Sequence, residues 1–308
     1  MAIIADGLTK QYGDKLAVDD LSLTIEPGRV TGFLGPNGAG KSTTMRMMLD
    51  IDRATSGMTT FDGARFGNLD SPLSVVGAML DANAVEPRRS ARDHLRYLAA
   101  SAGLPDSRVD EVLGLTGMRE AQNRKVGNFS LGMHQRLGIA AALLGDPKYM
   151  FFDEPTNGLD PEGIRWVREF LQQLAAEGRG ILVSSHLLSE LSLYVDHIVV
   201  IGKGRFIASG SVAEFESMTG HASVTVESPR LDELVALIEP RGGRVTPTPN
   251  GIEVTGMAAS AIGDLAALHR IELHELHTEH QSLETTFLEL TADSQEYRST
   301  GTGREEAS

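Results

Sequence analysis

The residues Gly35-Pro36-Asn37-Gly38-Ala39-Gly40-Lys41-Ser42-Thr43 fit the pattern G-x-x-x-x-G-K-[ST]. The apolar run Val30-Thr31-Gly32-Phe33-Leu34 precedes them, and a methionine-rich apolar segment, 44–49, follows. That order predicts a buried strand, a glycine-rich turn and a helix. Glycines let the backbone wrap close to a polyphosphate, so that N–H groups and the helix N-terminus face its negative charge. Lys41 can then reach the β- and γ-phosphates, and the Ser42 hydroxyl can ligate Mg²⁺. A chance glycine loop would lack these flanks. The residues imply a nucleoside triphosphate site.

About a hundred residues on, the apolar run Tyr149-Met150-Phe151-Phe152 ends in Asp153-Glu154-Pro155. Neighbouring strand residues point to opposite faces, so two adjacent acids take two roles only where the strand ends and the backbone turns. Pro155 supplies such a turn. Asp153 can hold Mg²⁺ through water, and Glu154 can polarise an attacking water. An acidic pair at a strand end is often no more than a solvated terminus; the upstream loop gives this one its meaning.

Between these motifs lies Asn128-Phe129-Ser130-Leu131-Gly132-Met133-His134-Gln135-Arg136-Leu137, which resembles the signature of ABC ATPases, LSGGQ followed by Q-R. Asn157-Gly158-Leu159-Asp160 resembles the D-loop of that family, and Ser184-Ser185-His186 its switch histidine. Tyr12, in Gln11-Tyr12-Gly13, matches the aromatic that stacks on adenine. The order and spacing agree from about residue 3 to residue 218. The resemblance implies ATP as substrate, Mg²⁺ as its partner ion, and Glu154 and His186 as catalytic groups. It also implies that Ser130, Leu131, Gly132 and Met133 act in trans, closing over ATP held by the glycine-rich loop of a second ATPase subunit. Two positions depart from the family pattern. Leu131 stands where most members have glycine, and the Q-loop glutamine position, after Val75-Val76-Gly77-Ala78-Met79-Leu80, falls on Asp81. A carboxylate there can still bind Mg²⁺ or its water but donates no hydrogen bond when ionised.

The elements that must position these residues follow from periodicity. Apolar segments at 3–4, 21–25 and 59–61 suggest a small antiparallel sheet. Helical periodicity at 93–102, 109–115 and 130–144 marks a helical subdomain, about 85–146, with Ser130 at the N-cap of its last helix. Strands at 150–152, 181–183 and 197–201 alternate with helices at 163–176 and 187–193, which implies an α/β sheet. The expected fold is thus a P-loop (RecA-like) ABC ATPase core over 1–220. A C-terminal α+β domain follows over 221–291. Its strands at 222–227, 244–248, 252–255 and 271–276 and helices at 231–238 and 258–268 give the ferredoxin-like order β-α-β-β-α-β, before a further helix at 283–290. The polar stretch 292–308 reads as a disordered tail. His269, His274, His277 and His280 interleave with Glu272, Glu275 and Glu279, but a solvated strand edge explains them at least as well as a metal site.

Composition narrows the function. A chain of 308 residues, 41% hydrophobic, is long enough for two domains. No run approaches the roughly 20 apolar residues of a membrane span, and Met1-Ala2-Ile3-Ile4 carries no signal-peptide pattern. The absence of cysteine excludes disulfides and thiolate zinc sites. A net charge of −14 disfavours nucleic acid as a partner. The expectation is an ATPase subunit at the cytoplasmic face of the membrane, working as a homodimer or pseudo-dimer with separate transmembrane permease chains. The run 282–288 and the segment 137–147 resemble drug-export ATPases of actinobacterial type, so export of a drug, antibiotic or lipid-like substrate leads. A ribosomal ATPase would carry two tandem glycine-rich loops and a chromosomal one a long heptad insertion, and neither is found. An importer ATPase is the weaker alternative.

Overall fold

The computed structural model describes residues 1–218 and 223–279. The described chain divides into two compact units, one running to Val212 and the other beginning at Ala213.

In the first unit, β1 (Ile3–Tyr12) and β2 (Lys15–Ile25) form a long antiparallel hairpin. β3 (Val30–Leu34) and α1 (Lys41–Met48) flank the glycine-rich loop, and β4 (Ser56–Phe61) and β5 (Ala64–Arg65) join the hairpin. The resulting antiparallel sheet has the order β2-β1-β4-β5. The hairpin is much longer than the segments 3–4 and 21–25 predict. Its outer ends are polar, so hydropathy alone hides them; hydrogen bonding to the neighbouring strand extends them.

A short helix, α2 (Pro72–Val75), leads into β6 (Val76–Met79). Then come α3 (Ala91–Ser101), α4 (Asp106–Leu115) and α5 (Leu131–Leu143), the expected helical subdomain. The chain returns through β7 (Tyr149–Phe152), α6 (Pro161–Ala176), β8 (Gly180–Ser185), α7 (Leu188–Leu191) and β9 (His197–Gly202). β10 (Arg205–Ser211), a strand not expected from the sequence, closes this unit. The central sheet runs β10-β9-β3-β8-β7-β6, parallel except for β10, which pairs antiparallel to β9. Every residue of β3, β7 and β8 is buried, as expected of parallel strands covered on both faces. β3, β8 and β7 are neighbours, so the three segments that follow them emerge side by side at the carboxyl edge of the sheet. That edge is where open α/β sheets bind ligands.

The second unit contains α8 (Val212–Met218) from Ala213 onward, then β11 (Ser223–Glu227), α9 (Leu231–Ile238), β12 (Arg244–Pro247), β13 (Ile252–Thr255), α10 (Ala259–Leu268) and β14 (Glu275–Glu279). The sheet order β12-β13-β11-β14, antiparallel throughout, is the ferredoxin-like arrangement. Val224, Val226, Leu234, Ile238, Val254 and Ile262 form its core.

One strand expectation is corrected. The last strand is not 271–276 but begins at Glu275. Arg270 takes a left-handed φ of 54°, and the Ile271 N–H turns back to Ala266 O at 2.8 Å. Ile271 is thereby buried as a plug beneath α10 instead of entering the ladder. Glu272 and His274 are therefore not strand neighbours, and no group of acidic and histidine side chains among the described residues could hold a metal. His280, the helix expected at 283–290 and the tail at 292–308 lie outside the described residues. No described helix is long and apolar enough to cross a membrane.

Candidate active site

The glycine-rich loop turns tightly at Gly38 (φ 81°) and Gly40 (φ 102°), a backbone that L side chains rarely adopt. A Cβ on Gly40 would also stand 2.8 Å from Ala17 O. The loop therefore needs glycine both for conformation and for space. Gly40 caps α1, whose first residues are Lys41 and Ser42. The Lys41 side chain is only 6% exposed, and a buried ammonium must be paired. Its Nζ donates to Gly35 O (2.7 Å) and Pro36 O (3.4 Å) and lies 3.3 Å from Glu154 Oε1.

The acidic pair sits where β7 ends. Asp153 still donates its N–H to Met79 O, so it belongs to the ladder, whereas Glu154 has φ 47°. A left-handed Glu is an uncommon and strained conformation. The turn expected from Pro155 is made by Glu154 itself, and it swings the two carboxylates apart. The Ser184 hydroxyl at the end of β8 holds both residues. It donates to Asp153 Oδ1 and accepts the Glu154 N–H at 2.9 Å. Glu154 Oε2 then lies 2.9 Å from His186 Nδ1. One carboxylate thus bridges a lysine from the first turn of α1 and a histidine from the loop after β8.

These groups open on a cleft of about 670 Å³ lined by Tyr12, Lys15, Ala17, Asn37, Gly38, Ala39, Gly40, Lys41, Ser42, Thr43, Glu154, Asn157 and His186. Gly35, Pro36 and Asp153 stand behind this wall, the first two as acceptors for Lys41 and the third on Ser184. Tyr12 Oη donates to Asp52 Oδ2 at 3.2 Å. Burial and then the Asp52 charge hold the Tyr12 hydroxyl above the usual phenol range, while the hydrogen bond from Arg46 holds the Asp52 carboxyl below the usual carboxylate range.

The signature residues are elsewhere. Ser130 caps α5 by accepting the Met133 N–H at 3.3 Å. A Cβ on Gly132 would meet Leu159 Cδ2, and one on Gly158 would meet Leu131 Cδ2, so the signature turn packs on the segment before Asp160. Asp160 caps α6 through the Gly163 N–H at 2.8 Å. Ser130, Leu131, Gly132, Met133 and Asp160 are all absent from the cleft wall. So is Asp81: it is exposed, and its carboxylate accepts the Asn83 N–H at 2.8 Å, a local turn three residues before Ala84. The Asp81 carboxylate is thus engaged within its own loop and does not line the cleft. Sequence reasoning missed Ser184 as a positioning group, and Lys15, Ala17 and Asn157 as wall residues. For Ser184 the signal was present, since it directly precedes Ser185-His186 at a strand end.

A family profile described as "ABC transporter" matches residues 18–157, and another, described as a domain of unknown function, matches residues 222–284. The ABC transporter ATP-binding protein YhcH of Bacillus subtilis, itself uncharacterized, is 35% identical over 94% of this chain and 95% of its own length. The chain belongs to the ABC transporter ATP-binding family. The bacitracin transport ATP-binding protein BcrA of Bacillus licheniformis is 42% identical over 65% of this chain and 66% of its own. A solved structure of the ATP-binding subunit of an ABC transporter superposes with a TM-score of 0.64 at 25% identity, covering 71% of this chain and 94% of that one. As an ABC ATPase the protein binds ATP and hydrolyses it to drive transport. The cleft between β3, β8 and β7 is where its residues fit that chemistry.

Proposed function

We propose that two copies of this ATPase, or one copy with a related chain, close face to face on ATP and energise the export of an antibiotic-like substrate. The membrane-spanning path would be formed by separate permease chains. The observation that carries this reading is the split of the site. Glu154 joins Lys41 and His186 in one cleft, whereas Ser130 and its neighbours, at the N-terminus of α5, do not line it. A helix N-terminus with free N–H groups suits a phosphate, and it reaches one only from another subunit. The substrate class rests on the likeness to a bacitracin transport protein, and attachment to the cytoplasmic face of the membrane follows from a permease partner.

In the closed pair Lys41 would exchange Gly35 O and Glu154 for phosphate oxygens. Glu154, released from Lys41 and still oriented by His186, would accept a proton from the attacking water. His186 would then stabilise charge on the γ-phosphate. Ser42, exposed at the cleft, and Asp153 offer the hard oxygen donors that Mg²⁺ prefers. Bound there, Mg²⁺ would neutralise charge on the phosphate oxygens. Hydrolysis leaves two separate anions between the subunits and favours opening.

The test is Glu154→Gln. It should lower kcat by about 100-fold or more while leaving ATP affinity near wild type, and it should elute as a dimer from size-exclusion chromatography with ATP. Turnover close to wild type would remove Glu154 from the role of base. A variant monomeric at saturating ATP would count against the face-to-face pair.

A further inference from the structure

Tyr12 is held in the cleft by residues that take no part in the phosphate chemistry. Its Oη donates to Asp52 Oδ2 at 3.2 Å. Asp52 in turn accepts two hydrogen bonds from one guanidinium, from Arg46 Nε at 2.7 Å and Arg46 Nη2 at 3.2 Å. Such two-point charge-assisted pairs fix direction as well as distance. Arg46 lies in the last turn of α1, and the Asp52 N–H returns to Arg46 O at 3.2 Å. The helix that presents Lys41 and Ser42 at its N-terminus thus carries the tether of Tyr12 at its other end. At 1.5 Å per residue, eight residues place the two ends about 12 Å apart. Lys10 completes the arrangement: its Nζ donates to Arg53 O at 2.6 Å and lies 4.8 Å from the Tyr12 ring centroid. An ammonium over an aromatic ring is attracted to the ring's negative face.

We infer that Asp52, backed by Arg46 and assisted by Lys10, is a positioning residue for base recognition: it sets the orientation of the Tyr12 ring so that the face opposite Lys10 stacks on the purine of the nucleotide. The inference rests on the reading of Tyr12 as the base platform. An exposed tyrosine at a strand end would otherwise lose rotamer freedom each time a nucleotide binds, and a prior tether removes that cost. α1 then couples the two ends of the nucleotide site, phosphate and base, through one rigid element.

The experiment compares ATP with inorganic tripolyphosphate, which has the phosphates but no base, by calorimetric titration of the full chain. Asp52→Ala and Tyr12→Phe each remove the tether, and Tyr12→Phe does so without touching the Asp52–Arg46 pair. Both should weaken ATP binding by about three- to tenfold, the range of one net hydrogen bond, raise KM more than they lower kcat, and leave tripolyphosphate affinity unchanged. Tyr12→Ala should weaken ATP further, and Asp52→Ala added to Tyr12→Ala should cost nothing more. If Tyr12→Ala weakens ATP while Asp52→Ala and Tyr12→Phe do not, the tether is wrong and the platform stands. If Tyr12→Ala has no effect, the platform reading falls and the tether with it. Equal loss for ATP and tripolyphosphate in Asp52→Ala would make Asp52 a structural support of α1, and would overturn the inference.

Discussion

At the scale of single residues, the site is organised by one side chain that does not itself line the cleft. Ser184 ties Asp153 and Glu154 to the end of β8, donating a hydrogen bond to the Asp153 carboxylate and accepting one from the Glu154 N–H. It is itself fully buried, although both partners are partly exposed. Ser184→Ala should therefore leave the Glu154 N–H unpaired and free the Asp153 carboxylate to rotate. Loss of such supporting partners generally costs about 10- to 100-fold in activity. The expected result is a kcat reduced by that order with ATP affinity changed much less, read by steady-state ATPase assay beside equilibrium titration. Wild-type kcat in this variant would show that the strained turn at Glu154 holds its own shape.

At the scale of elements, the two sheets of the first unit are pinned where the β4–β5 turn meets the start of β7. Asp62 accepts hydrogen bonds from Lys148 Nζ (2.5 Å) and Tyr149 Oη (2.6 Å). Burial alone would raise the Asp62 carboxyl, but these two hydrogen bonds and the Lys148 charge outweigh it and hold the group below the usual carboxylate range. The sign follows from linkage: a carboxyl with a depressed pKa in the folded state contributes stability above its unfolded value. That contribution is lost as pH falls through the folded one. Asp62 has φ 51°, which asparagine tolerates, so Asp62→Asn tests the charge without straining the turn. We expect it to cost about 1–2 kcal/mol at pH 7, discounted from a buried pair because Lys148 is partly exposed. Urea unfolding should show that difference shrinking below about pH 4 as wild-type Asp62 takes up its proton. A gap independent of pH would mean that shape, not charge, matters at this corner. The same close fit governs β6 against α5, where a Cβ on Gly77 would lie 2.0 Å from Ala142 O.

At the scale of the whole molecule, the question is how a site divided within one chain is completed. Ser130→Arg places a long cation at the surface expected to close over the partner's nucleotide. In the Glu154→Gln background it should abolish the ATP-dependent dimer and spare ATP binding by the monomer. The substitution also removes the cap on α5, at a cost of about 1 kcal/mol, so thermal unfolding must be followed beside it. A folded Ser130→Arg chain that no longer binds ATP as a monomer would contradict an arrangement in trans. The cleft wall is built from residues of the first unit, and the second unit has its own core around Val224 and Ile262.

Much of this was legible in the sequence, because its strongest signals are local. The loop from Gly35 to Thr43 needs only contiguous glycines, a lysine and the helix that follows. The Ser130 cap needs only the three residues after it, and the ferredoxin-like order shows in period-2 and period-3.6 runs. What hydropathy could not supply were β10 and the turn-side ends of β1 and β2, which hairpin pairing, not a regular apolar pattern, holds as strands. It also misplaced β14, where one left-handed residue, Arg270, diverted Ile271 into the core. Only the tertiary structure decided that Glu154 stands between Lys41 and His186, that Ser184 holds both acids, and that Asp81 turns back on its own loop. The Asp81 turn spans two positions, but the contacts of Glu154 and Ser184 join residues 30 to more than 100 positions apart. They exist because β3, β8 and β7 lie side by side in an order that chain sequence does not follow, and strand order is set by the packing of the whole sheet.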